Sequence, residues 1–130
     1  MSGLTTTDTL YELTINLPPR TKKNSQVIAK RNGRTFLVQS KLYREYERDC
    51  LKVIKPPEKP IDEPVNVMMH FYMPTKRRVD LVNLENACLD ILVRAGVLAD
   101  DNHNIVESMD GSRVFHSKDE SRTEVTITRG

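Results

Sequence analysis

The sequence predicts one small α+β domain, a mixed β-sheet carrying two helices. Three observations predict it. Two segments, 41–54 and 81–95, repeat apolar residues at helical spacing. Between them, 65–73 alternates as a strand does. Further alternating runs near both ends are bounded by Pro, Gly and Asn. The 130 residues suit a single domain spanning 1–130, with 1–9, small and polar, read as a frayed, disordered end.

Each element has its own local cause. From Leu10 to Leu17, Leu13, Ile15 and Leu17 point one way and Glu12, Thr14 and Asn16 the other, the pattern of a half-buried strand. Pro18-Pro19 ends it. A basic loop follows, and Arg31-Asn-Gly-Arg34 reads as a tight turn joining a small hairpin of 26–30 and 35–39. Ser40 is placed to cap the first helix. Leu42, Tyr43, Tyr46, Cys50, Val53 and Ile54 draw one apolar stripe along it. Pro56, Pro57, Pro60 and Pro64 make 55–64 a connector. In 65–73, Val65, Val67, Met69, Phe71 and Met73 face one side. Met68 and Tyr72 lie on the other, so this is the candidate central strand.

The second helix carries Leu81, Leu84, Ala87, Cys88, Ile91, Leu92 and Ala95 on one face, with Asp80 at the N-cap position and Gly96 at the C-cap. Val97 to Asn102 reads as a turn and Ile105 to Met109 as a strand. Asp110-Gly111 reads as a hairpin closure or a bulge, with Val114-Phe115 continuing the strand. Thr123 to Thr128 alternates as the last strand.

Composition is that of an ordinary water-soluble domain: 38% hydrophobic, 29% charged, net charge +2. The charge is unevenly spread. Arg20, Lys22, Lys23, Lys30, Arg31 and Arg34 occupy a stretch with no acid, and Lys76, Arg77 and Arg78 form a second cluster. Two such clusters beside turns point to a phosphate-contacting surface. Cys50 and Cys88 fall on helices as free thiols, without the spacing of a zinc site or a disulfide framework. The expected setting is the cytoplasm, with no signal peptide and no membrane partner. His70, His103 and His116 share no metal-type spacing; His103 alone sits beside an acidic pair.

The chemistry concentrates in 76–101. A basic run leaves the central strand, Asp80 follows at the mouth of a helix, and Asp100-Asp101 come after that helix. Carboxylates beside a basic patch are what metal-dependent phosphodiester cleavage needs. On spacing alone, Asp80 reads first as a helix cap and Asp100-Asp101 as a polar turn. A fifteen-residue helix is about 22 Å long, so the two acidic sites meet only if a turn folds back or a two-fold dimer joins them.

The string Arg78-Val-Asp80-Leu-Val-Asn83-Leu84, continued by Ala87, Asp90-Ile-Leu92, Ala95-Gly96-Val97-Leu98 and Asp100-Asp101, resembles the core of RusA-type Holliday junction resolvases. Leu17-Pro18-Pro19, Asn24-Ser25 and Ser40 with Tyr43-Arg44 are similar to that family's opening. The resemblance implies a Mg²⁺-dependent (Mn²⁺ as the alternative metal) endodeoxyribonuclease acting as a homodimer on four-way DNA junctions, a family often carried by phages. It implies that Asp80, Asp101 and Asp100 are catalytic metal ligands. Lys22, Lys23, Lys76, Arg77 and Arg78 are the expected DNA grip. Two positions depart from the pattern: Val82 stands where the family has a second aspartate, and Asn86 where it has a lysine. Glu85, Asn83, Asp110 and Asp100 are the candidate substitutes. The alternative reading is a dimer of the same fold that binds junctions and cuts weakly or not at all; a third is an interaction module with an inert acidic turn.

Overall fold

In the computed structural model, which describes residues 8–22, 26–39 and 41–130, the elements run β1 (Thr9–Ile15), β2 (Gln26–Arg31), β3 (Arg34–Gln39), α1 (Lys41–Val53), β4 (Val65–Met73), α2 (Leu81–Arg94), β5 (Val106–Ser108), β6 (Arg113–His116) and β7 (Arg122–Arg129). This is the expected α+β domain, a mixed five-stranded sheet with two helices. Lys23, Asn24, Ser25 and the expected cap Ser40 lie outside the described residues.

The sheet runs β1-β7-β4-β5, with β6 also on β4. β7 lies antiparallel between β1 and β4, while β5 and β6 run parallel to β4. A parallel neighbour needs a crossover, and α2 supplies it, so β4-α2-β5 is a βαβ unit. β4 alternates as its sequence requires. Val65, Val67, Met69 and Phe71 are buried under the helices with Val125 and Ile127 of β7 and Leu84, Ile91 and Leu92 of α2. β1 starts at Thr9, inside the end expected to fray, because Thr9 pairs with Thr128. Its last pair is Ile15 with Thr123, before Asn16 and the prolines.

β5 and β6 are two halves of one edge strand. Five residues of β4, Asn66 to His70, are matched by six, Ser108 to Arg113, so the edge strand bulges by one residue. The Asp110-Gly111 pair is therefore a bulge and not a hairpin. Gly111 takes φ 87°, and a Cβ there would sit 2.8 Å from Met68 Sδ. Asn66 and Ser112 satisfy the backbone that the bulge leaves unpaired: Asn66 Oδ1 accepts from Asp110 N, and Ser112 Oγ from Met69 N.

Three expectations shift. Leu42 and Val53, assigned to the buried stripe of α1, are 57% and 52% exposed; only Tyr43, Cys50 and Ile54 are buried there, with Tyr46 half-buried. One sheet covers a narrower arc of α1 than the stripe spans. Ala95 is the C-cap, and Gly96 follows it at φ 83°, the left-handed residue that ends the helix. Val97 and Leu98, read as turn, are core residues, and Leu98 bridges Ile61 of the proline-rich connector. Asn32 and Gly33 carry the positive φ values expected of the 31–34 turn. No helix among the described residues is long and apolar enough to cross a membrane.

Candidate functional site

The site is built around the two ends of α2. β4 delivers the chain to the helix N-terminus through the exposed residues Lys76, Arg77 and Arg78. Arg77 N donates to Thr75 Oγ1, which begins to turn the chain toward the helix. Among the described residues none of these three side chains has an ion-pair partner. Three unpaired cations on one exposed loop are what a phosphate backbone attracts.

Asp80 takes the N-cap position with extended backbone, but its carboxylate makes no capping bond. Instead Oδ2 accepts from Asn83 Nδ2 at 3.1 Å. The carboxylate is exposed and aimed outward, which leaves it free for chemistry that a capping aspartate would have surrendered. Val82 beside it is 63% exposed, an apolar side chain in solvent on the first turn.

Asp100 and Asp101 lie at the far end. α2 has 14 residues, about 21 Å of rise. After it, Val97 and Leu98 fold back on Leu92, and Ile105 O accepts from Val65 N at the start of β4. The acidic pair thus sits by the first residues of β4, and Asp80 follows the last. The Asp100 carboxylate organises its own turn: Oδ1 accepts from Asp101 N at 2.7 Å and Oδ2 from Asn102 Nδ2 at 3.1 Å. Asp101 and His103 are exposed beside it. One chain therefore joins Asp100 to Asp101 but leaves Asp80 apart. Among the described residues no three His, Cys, Asp or Glu side chains come close enough to hold a metal.

The candidate substitutes separate clearly. Asn83 touches Asp80. Glu85 does not: it is buried beneath α2 near Ser112, at the middle of β4, and burial raises its carboxyl above the ordinary range while the Ser112 hydroxyl pulls it down. Its placement was readable, since Leu81, Glu85, Cys88 and Leu92 share one helical face. Asp110 is exposed, with its backbone tied to Asn66 at the edge-strand bulge.

Lys22 is not a free cation. Its Nζ lies 3.0 Å from Asp90 Oδ2, which also pairs with Arg94, and Arg94 reaches Glu47 of α1. The pair staples the loop after β1 to α2. Burial pushes the Cys50 thiol up to about 11 and that of Cys88 to about 12, so neither is a nucleophile near neutrality.

A basic loop leading to an outward aspartate, one helix, then an exposed aspartate pair is the arrangement at which comparison with known proteins becomes decisive. Residues 16–128 match the model of the family described as Endodeoxyribonuclease RusA. The chain belongs to the RusA family. It is 32% identical over 94 residues to the crossover junction endodeoxyribonuclease RusA of Shigella sonnei, covering 70% of this chain and 73% of that one. The proteins of the same name from Escherichia coli K12 and Enterobacteria phage 82 match equally. In RusA terms the chain is an endodeoxyribonuclease, and relatives occur in both bacteria and phage.

Proposed function

We propose that this RusA-family protein is a homodimeric, Mg²⁺-dependent endonuclease that resolves four-way DNA junctions, with each active site shared between protomers. The supporting observation is the separation of Asp80 from Asp100 and Asp101 by the length of α2. A two-fold axis that sets two such helices side by side in opposite directions brings Asp80 of one protomer to the acidic pair of its partner, and does so twice. Two sites related by symmetry match a junction that needs two symmetric nicks.

The donors suit the metal. Mg²⁺ takes hard oxygen ligands and is held by one or two carboxylates plus substrate phosphate. Asp80, Asp101 and Asp100 offer carboxylates, and Mn²⁺ would be accepted by the same set. When bound, the metal supplies charge stabilisation at the phosphoryl group and lowers the pKa of its water. The chain's own residues do the rest. Asn83 orients the Asp80 carboxylate. Lys76, Arg77 and Arg78 hold the strand entering the site, and Lys22, paired with Asp90, contributes less.

Subunit mixing tests the shared site. Asp80→Asn and Asp101→Asn homodimers each leave both sites broken. A mixed dimer puts both lesions in one site and leaves the other intact, so it nicks one strand of a junction. Sites confined to single chains would leave the mixed dimer inert. The second reading, a junction-binding dimer that does not cut, is favoured by the exposed Val82 and by Asn86. It predicts tight binding to a synthetic junction and no nicks with Mg²⁺ or Mn²⁺.

A further inference from the structure

A cleft of about 450 Å³ opens beside the N-terminus of α2. The segment after β1 forms one wall through Pro18 and Pro19. The end of β4 and the approach to α2 form the other through Met73, Pro74, Val79 and Leu84. Arg20, Arg77 and Arg78 also line it, and among the described residues no acidic one does. Val79 lines the cleft and Asp80 follows it directly in the chain.

We infer that this cleft is a subsite for one unstacked nucleotide of the DNA strand, taken up next to the phosphate to be cut. The inference rests on the junction-cleavage reading above and adds a source of sequence preference to it. A mixed lining, with proline, methionine and aliphatic side chains beside guanidinium and hydroxyl groups, suits a ligand with a flat, weakly polar body and an anionic tail, and a nucleotide is that ligand. The volume lies in the range of sites for small ligands. Proline rings and the Met73 side chain offer flat and adaptable apolar surface to a base. The arginines can stack on it or hold its flanking phosphates. Stacking is already interrupted at the branch point of a junction, so extruding a base there costs less than in a duplex. Arg77 and Arg78 thus serve two ends: they attract the backbone, and they fix one base beside Asp80.

The test places 2-aminopurine, in turn, at each branch-point position of a fixed four-way junction and adds the full-length protein without metal. Among the described residues no aromatic side chain that could quench the probe lines the cleft. The expected result is a severalfold rise in fluorescence at one position on binding. With Mg²⁺, changing the base at that position is expected to alter cleavage by about tenfold or more. Val79→Met fills the cleft without adding a ring that could quench the probe, and is expected to abolish the rise and the base preference together. Thr75→Gln narrows its exposed mouth without entering the core, and is used if Val79→Met does not fold. A junction that is bound and cut yet stays dark at every position overturns the subsite and leaves junction cleavage standing. So does base preference that survives in a folded, cleft-filled variant. A protein that binds junction no better than duplex overturns the functional reading itself, and the subsite with it.

Discussion

The two ends of α2 differ in almost every property. At its N-terminus stand three cations with no ion-pair partner among the described residues, a carboxylate exposed to solvent, and a cleft of mixed polarity. Past its C-terminus stands a pair of aspartates in a self-bonded turn, and Arg94, in the last turn of the helix, is already committed to Asp90 and Glu47. In the reading proposed above, the first end would hold DNA and the second a cation. On that reading neither is a complete active site, and one chain would supply two complementary halves to a dimer.

Four measurements can break or sharpen that contrast. The largest effect is expected from Asp80→Asn and from Asp101→Asn, each lowering junction cleavage by about 100-fold or more, since even groups behind metal ligands cost 10 to 100-fold. Near-normal cleavage by either variant would remove that end from the chemistry. Next, changing both Arg77 and Arg78 to Ala is expected to reduce the slope of log affinity against log salt by about two, one for each phosphate left without its cation. Lys22→Ala is expected to change it by less than one, because Asp90 already neutralises Lys22. Equal effects would show that the ion pair opens on binding. Val82→Asp is expected to lower the Mg²⁺ concentration needed for half-maximal cleavage, by adding a carboxylate two residues from Asp80. An unchanged metal titration would place that side chain outside the site.

The smallest effect concerns stability. Burial raises the Glu85 carboxyl, so the folded state binds its proton more tightly than the unfolded chain does. Stability is then lost as pH rises from the ordinary carboxylate range through the folded-state pKa. Glu85→Gln removes that dependence, and thermal unfolding should show its advantage over the natural protein growing toward neutral pH and vanishing in acid. A gain independent of pH would mean that Glu85 is not charged at a cost in the fold.

How much of this was legible in the sequence depended on the range of the interaction. β4 and α2 were readable from Val65 to Met73 and from Leu84 to Leu92, because a period of two or 3.6 is local and each has one strongly apolar face. The Asn32-Gly33 turn was readable for the same reason. The far ends of the helix stripe on α1 were not, because whether Leu42 and Val53 find cover depends on where the sheet stops. The Lys22–Asp90 pair joins residues far apart in the chain, and nothing in either neighbourhood announces it. Within the candidate site, the order of Asp80, Asp100 and Asp101 around a helix read on its own as a cap and a polar turn, and they stood out through the resemblance to the RusA family. Their separation followed from the length of that helix. The cleft did not stand out, since its two walls, Pro18-Pro19 and Met73 to Val79, become neighbours only when β1 and β4 are brought together through β7.

The extra residue between β5 and β6 has a consequence for solubility. A straight outer strand exposes a regular ladder of amide and carbonyl groups, a template on which another strand can grow. Here the ladder is broken halfway. The Ser112 hydroxyl and the Asn66 amide occupy the broken part from within, and His70 Nε2 closes on Gly111 O. An approaching strand finds three residues, then a step, then four, and cannot stay in register with both. A protein whose proposed work requires one specific partner copy is thereby guarded, along this side, against recruiting an indefinite series of wrong ones.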